Sequence, residues 1–175
     1  LLFDDWMEAH LMNAYVVAAA LILYGILFIV VENINYGKRP AIERVGDITY
    51  KTALIIGLFQ VLSLVPGTSR SGSTILGAMI IGCSRPAAAE FSFFLGIPVM
   101  FGASLLKLVK FGFHFTGLEL FYLIAGMVIA FVVSVYSIKF LMGYIRKNNF
   151  KVFGYYRIVL GVIVLFYFGV TAFLG

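Results

Sequence analysis

The chain has 175 residues, of which 62% are hydrophobic and only 12% charged, and its mean hydropathy is +1.05. That composition excludes a water-soluble domain and defines an integral membrane protein. The formal charge of +5 does not argue for nucleic acid, because the basic residues lie mostly in short loops between apolar runs, the distribution that orients membrane proteins.

Residues 1–10 are acidic at Asp4, Asp5 and Glu8, and Trp6 among them reads as an interface anchor. Residues 11–31 are apolar but for Asn13 and predict the first span. A polar connection over 32–51 carries Lys38, Arg39, Arg44 and Lys51. Pro40 breaks it, and Asp47 is placed to cap the next helix. Two apolar arms follow, 52–64 and 75–81. Each is too short to cross a hydrocarbon core that needs ~20 helical residues. Together they predict a re-entrant helical hairpin over 48–82, with its polar tip buried by protein or bathed by water.

Ser84 as N-cap with Pro86 in the first turn restarts the chain. The second span is expected over 86–109, kinked at Pro98. Lys107, Lys110, His114 and Glu119 mark the next interface. The third span is expected over 118–144, with Gly126 and Ser134 available for close helix approach. Arg146, Lys147 and Lys151 form a basic loop, and 153–173 is the last span. The predicted fold is therefore all-α and polytopic, with four transmembrane helices and one re-entrant hairpin. Lys38, Arg39, Arg44, Lys51, Arg85, Arg146, Lys147 and Lys151 fall on one side, against Lys107 and Lys110 on the other. The first side, with loops 32–51 and 145–152, is expected to be cytoplasmic. The single cysteine, Cys83, excludes an internal disulfide. His10 and His114 stand apart and read as interfacial residues rather than metal ligands.

The hairpin tip reads Val65-Pro66-Gly67-Thr68-Ser69-Arg70-Ser71-Gly72-Ser73-Thr74. Pro66 ends the first arm, and Gly67 and Gly72 permit backbone conformations closed to other residues. Consecutive backbone N–H groups can then form an anion nest. Ser71, Ser73 or Thr74 can cap the second arm, whose N-terminus also favours an anion. Arg70 adds a planar, permanently charged fork suited to phosphate oxygens. The hydroxyls alone would fit a turn that merely satisfies its own backbone. With an intramembrane arginine among them, the string reads as a phosphate or pyrophosphate site.

Pro-Gly-Thr-Ser-Arg-Ser-Gly-Ser-Thr closely resembles the second signature of bacterial undecaprenyl-diphosphatases of the bacitracin-resistance type. The flanks match as well: Asp47-Ile48-Thr49-Tyr50-Lys51 and Gly57-Leu58-Phe59-Gln60 before it, Ser84-Arg85 and Ala89-Glu90-Phe91-Ser92-Phe93 after it. The resemblance runs from about Ile48 to the C-terminus and more loosely upstream. It implies a fold of two inverted repeats, with 11–31 as the last span of the first repeat and 48–175 as the second. A Glu-rich helix leading to a Pro-x-Ser-Ser-x-Gly-His loop, the family's other signature, is absent from these residues. A sequence opening Leu1-Leu2-Phe3 without methionine fits a piece of a longer protein.

The resemblance implies a membrane phosphatase that converts a polyprenyl diphosphate into the monophosphate carrier lipid and phosphate. Arg70 and Ser69 are the candidate catalytic residues. Gly67, Thr68, Ser71, Gly72, Ser73 and Thr74 would bind the substrate, with Ser69 and Thr74 hydrogen-bonding phosphate oxygens. Glu90 reads either as a buried carboxylate that orients Arg70, binds a cation or moves a proton, or as an acid placed by a helix dipole. Gln60 reads either as a further donor to an anion or as a helix–helix hydrogen-bonding residue. Arg85, Arg157 and Lys139 read as snorkelling anchors, with Arg157 the better candidate of the two arginines for an inward role. A divalent cation, Mg or Ca, would suit a diphosphate substrate, but no residue here reads as its ligand. The expected partners are the lipid substrate and the bilayer, without nucleic acid; a homodimer is compatible with the chain. The attacking group would come from the missing signature, so residues 1–175 alone are expected to be inactive. A transporter or flippase for an anionic lipid or solute is the alternative, since half-helices aimed at an anion also build transporters.

Overall fold

The computed structural model describes residues 11–112 and 116–174. Asp4, Asp5, Trp6, Glu8, His10 and His114 lie outside the described residues. Among the described residues the fold has six α-helices: α1 (Ala14–Asn35), α2 (Tyr50–Val61), α3 (Arg70–Ile81), α4 (Arg85–Phe111), α5 (Gly117–Lys147) and α6 (Lys151–Leu174). Among the described residues the only extended pairing is a single parallel bridge between Ile42 and Cys83. Four segments among the described residues are long and apolar enough to cross a membrane: Ala14–Asn35, Arg85–Phe111, Gly117–Lys147 and Lys151–Ala172. The all-α, four-span expectation therefore holds, with helix ends a few residues beyond those expected.

Local chemistry sets the helix starts. Asn13 caps α1 by accepting from the Val16 amide. Thr49 caps α2, not Asp47, which closes a short 3₁₀ turn over Val45–Asp47. The 3₁₀ turn brings Thr49 to the position where a hydroxyl reaches the third amide onward. Ser84 caps α4 and Pro86 sits in its first turn, as expected. The helix then continues through Pro98 to Phe111. Thr116 and Glu119 form a reciprocal capping box on α5.

The arms α2 and α3 form a packed hairpin. A 3₁₀ turn over Leu62–Leu64 and a turn at Val65–Thr68 separate them. Gly77 of α3 lets the Phe59 ring lie flat on the helix; a Cβ there would come within 2.7 Å of Phe59 Cβ. With 12 residues each, the arms are about 18 Å long, well short of a bilayer core. Eight of the twelve α3 residues are buried. The core gathers around that arm: Tyr24, Phe28 and Val31 of α1, Ile56 of α2, and Ala88 and Ala89 of α4 pack with Ile75, Leu76, Ala78 and Met79.

Close helix approach occurs between α1 and α6. A Cβ at Gly25 would meet Ile158 Cγ1 at 2.6 Å and the Gly154 carbonyl oxygen at 2.7 Å. A Cβ at Gly161 would sit 2.9 Å from the Ala18 carbonyl oxygen. Small residues draw the two backbones together, the usual basis of helix association in lipid. The expectation placed on Gly126 and Ser134 fails: nothing lies within 4 Å of a Cβ at Gly126, and Ser134 is exposed. Most of α5 faces outward, with Ile145 its one buried residue.

Arg85 is not a snorkelling anchor. Its Nε and Nη2 donate to both oxygens of Glu32 at 2.7–3.0 Å, and Glu32 is 1% exposed. The same carboxylate accepts the Phe150 amide at 2.8 Å. Glu32 therefore belongs to the last turns of α1, not to the connection after it. It ties α1 to the start of α4 and to the turn between α5 and α6.

Candidate functional site

The hairpin tip is built on the first turn of α3. Ser69 is its N-cap, accepting the Gly72 amide at 3.2 Å, and its carbonyl accepts the Ser73 amide. The expectation that Ser71, Ser73 or Thr74 caps this helix is therefore corrected. Ser69 already has the extended φ/ψ of a cap, so the helix starts earlier and takes Arg70 as its first residue. The amides of Arg70 and Ser71 remain as first-turn donors, and the helix dipole places positive charge there.

The tip rests on the α1 backbone. Gly67 adopts φ +85, and a Cβ there would come within 2.5 Å of the Val17 carbonyl oxygen. Only glycine satisfies both the left-handed conformation and that approach. Thr68 donates its amide to the Val65 carbonyl, which closes the turn.

Ser73 and Thr74 are each 1% exposed and point into the protein. Ser73 Oγ lies 3.2 Å from both the Tyr24 hydroxyl and the Ser69 carbonyl oxygen. Thr74 Oγ1 lies 2.6 Å from Ser92 Oγ and within 3.2 Å of the Arg70 and Ser71 carbonyl oxygens. These hydroxyls hold α3 against α1 and α4 and so position the tip. Ser69 and Ser71, half-buried and 3.2 Å apart at their hydroxyls, stay near the surface of the turn.

Two guanidinium groups reach this turn from different sides. Arg70 lies against Gly96 of α4, where a Cβ would fall 2.6 Å from Arg70 Nη2. Arg157 of α6 lies 5.6 Å above the Phe28 ring and near Gly72, where a Cβ would be 3.1 Å from Arg157 Nη2. Arg157 thus takes the inward role for which it was the better candidate, and not that of a snorkelling anchor. Arg70 Nη1, Arg157 Nη1 and Gln60 Oε1 are buried without a hydrogen-bond partner among the described residues. A cavity of about 110 Å³ runs behind the turn, bounded by Ser71, Gly72, Ser92, Phe28 and Arg157.

Glu90 is not a buried carboxylate beside Arg70. It is exposed on α4, whose Ala87, Ala88, Ala89 and Ser92 turn inward. Among the described residues no group of three or more His, Cys, Asp or Glu could hold a metal. Sequence reasoning missed Tyr24, Ser92, Gly96 and Glu32. Small residues at 88, 92 and 96 recur every four positions, which marks one closely packed face of α4. That spacing could have pointed to Ser92 and Gly96.

Fold and turn together define a polytopic helical membrane protein with two guanidinium groups gathered at the turn of a short helical hairpin. The family described as bacitracin resistance protein BacA matches residues 1–163, and the chain belongs to that family. Three similar curated proteins are each called undecaprenyl-diphosphatase. The one from Desulfitobacterium hafniense is 61% identical over 176 residues, covering 100% of this chain and 63% of that protein. The one from Lachnoclostridium phytofermentans is 64% identical over 166 residues, covering 95% and 61%. The one from Enterococcus faecalis is 62% identical over 165 residues, covering 94% and 60%. The chain thus spans about three-fifths of the length of these relatives.

Proposed function

We propose that this chain carries the phosphate-holding part of a membrane undecaprenyl-diphosphate phosphatase, which regenerates a cell-wall carrier lipid and thereby supports bacitracin resistance. Two buried guanidinium nitrogens, Arg70 Nη1 and Arg157 Nη1, carry the reading, because neither has an acceptor among the described residues. A buried charged donor without an acceptor is costly, and an anion bound at the turn satisfies it. Hydrolysis forms a bond from a water oxygen to the terminal phosphorus and breaks the bridging P–O bond. Negative charge then grows on the bridging oxygen. Arg70, the free amides of the first turn and the Ser69 hydroxyl hold that charge, while Arg157 supplies positive potential from α6. Ser73, Thr74 and Ser92 keep the turn in place. The attacking or proton-accepting group belongs to the remainder of the relatives' length. The hairpin re-enters the plasma membrane from the cytoplasmic face, where loops 32–51 and 145–152 lie. Phosphate release from polyprenyl diphosphate by the full-length protein in detergent tests the reading. Lipid movement across vesicles without phosphate release would favour a transporter instead.

Re-entry has its own test. Single cysteines at Tyr50 and Ser84 should label with an impermeant maleimide from the same face. Native Cys83 can stay, since it is 4% exposed and burial raises its thiol pKa above the usual range. Labelling of the two sites from opposite faces would make the segment a kinked span.

Gly96→Ala tests how Arg70 is placed. The new methyl group meets only the flexible end of Arg70, so folded yield should be close to wild type. The guanidinium must shift by about an ångström, and a misplacement of that size can cost about 10²-fold in turnover. Unchanged turnover at normal yield would show that the Arg70 position against α4 is not the working one.

A further inference from the structure

A second cationic site lies at the opposite end of the hairpin from Arg70. A cavity of about 450 Å³ opens where the α1–α2 connection, the α3–α4 turn and the end of α5 meet. Lys38, Arg39, Arg85 and Arg146 line it, and no acidic residue does. Glu32 engages Arg85 through Nε and Nη2, so Arg85 Nη1 is left without an acceptor among the described residues. The side chains of Lys38, Arg39 and Arg146 make no hydrogen bond or ion pair within the described residues.

The walls are fixed. The Ala41 and Ile42 amides both donate to the Gly82 carbonyl, the Ser84 amide donates to the Ile42 carbonyl, and Ser84 Oγ donates to the Glu43 carbonyl at 2.8 Å. Asn35 Nδ2 adds a bond to the Met79 carbonyl at 3.1 Å. Gly82 turns the chain with φ +104. These bonds hold the connection against the end of the hairpin, so the cavity exists before anything enters it. Tyr36 at its rim is 79% exposed, and Val30 and Ile34 present apolar surface on the α1 face. A cationic cup beside an apolar helix face is the pattern that takes a lipid headgroup with its chains alongside.

We propose that this cavity binds a phosphate-bearing anion, separately from the Arg70 turn, and that an anionic phospholipid headgroup is its source. Free inorganic phosphate carries the same chemistry, and the test separates the two. The full-length protein in dodecyl maltoside is titrated with phosphatidylglycerol, phosphatidylcholine or inorganic phosphate while thermal unfolding is followed. Phosphatidylglycerol should raise the midpoint and phosphatidylcholine should not. Lys38→Gln/Arg39→Gln/Arg146→Gln should shift half-saturation by phosphatidylglycerol more than ~10-fold, since each cation near an anionic lipid is worth about 1 kcal/mol. Arg85 is kept because it holds Glu32. Arg44→Gln/Lys147→Gln/Lys151→Gln removes the same charge from the same end of the molecule outside the cavity and should shift it little. Arg70→Ala should respond like wild type. A response to inorganic phosphate alone would keep the site and reassign its source. Equal losses in both triple variants, or no loss in the first, would overturn the proposal in favour of diffuse surface charge.

Discussion

Arg70→Ala in the full-length protein should lower turnover by about 10²–10³ while folded yield changes little, the usual cost of removing one electrostatic donor from a phosphoryl- or acyl-transfer site. Arg70→Lys should recover little of it. The ammonium keeps the charge but cannot present two parallel N–H groups to phosphate oxygens. Both substitutions should act more on turnover than on ground-state binding, because charge on the bridging oxygen peaks in the transition state. Initial rates against substrate concentration, beside yield in detergent, make the comparison. Arg70 begins α3 and its guanidinium packs on Gly96, so a purely anchoring role would disturb insertion and leave chemistry intact. Near wild-type turnover in Arg70→Ala would remove the residue from the site.

The second large effect concerns stability. Arg85→Ala should destabilise the fold by about 3–5 kcal/mol, the range for breaking a buried ion pair by removing one partner. The asymmetry of the pair sharpens the expectation. Glu32 is 1% exposed while the Arg85 side chain is 37% exposed. Losing Arg85 leaves a buried carboxylate with only the Phe150 amide as donor. Glu32→Gln leaves an arginine that can turn to water, and the new amide oxygen can still accept from Phe150. It should cost about 1–2 kcal/mol, nearer the price of a hydrogen bond to a charged group. Glu32→Leu/Arg85→Leu should lie closer to wild type than Arg85→Ala, since no uncompensated charge remains. Thermal unfolding of the four proteins gives the ranking. Equal midpoints for Arg85→Ala and wild type would show that the pair is incidental.

Much of this architecture was legible because membrane spans announce themselves by length and hydropathy. The four spans, the Ser84–Pro86 restart and the interruption at Val65–Thr74 rest on such one-dimensional signals. What escaped depends on which side of a helix a residue faces. Glu32 follows an unbroken apolar run and reads as the start of a loop, yet one more turn of helix carries it inward to Arg85. Of the two readings of Glu90, the buried carboxylate fails and the residue faces outward near the start of its helix, because the small residues of α4 claim the inner face. The hydroxyls of the tip read as one ligand-binding set. Helix geometry divides them: Ser69 and Ser71 remain at the turn, and Ser73 and Thr74 become internal fastenings. Gly126 offered the same small-residue signal as Gly154, but only Gly154 has a helix opposite it.

The seam between α1 and α6 also dictates the order of assembly. Its partners come from distant parts of the polypeptide: Glu32 waits for the Phe150 amide, 118 residues later, and Gly25 waits for Gly154. During synthesis α1 must leave the insertion machinery with its glycine face open and its carboxylate only partly paired. The hairpin and α4 can dock earlier, but the glycine seam of α1 closes only when α6 emerges. A chain cut short before Lys151 would therefore leave α1 with its glycine face unfilled. Helix α6 is the latch on α1.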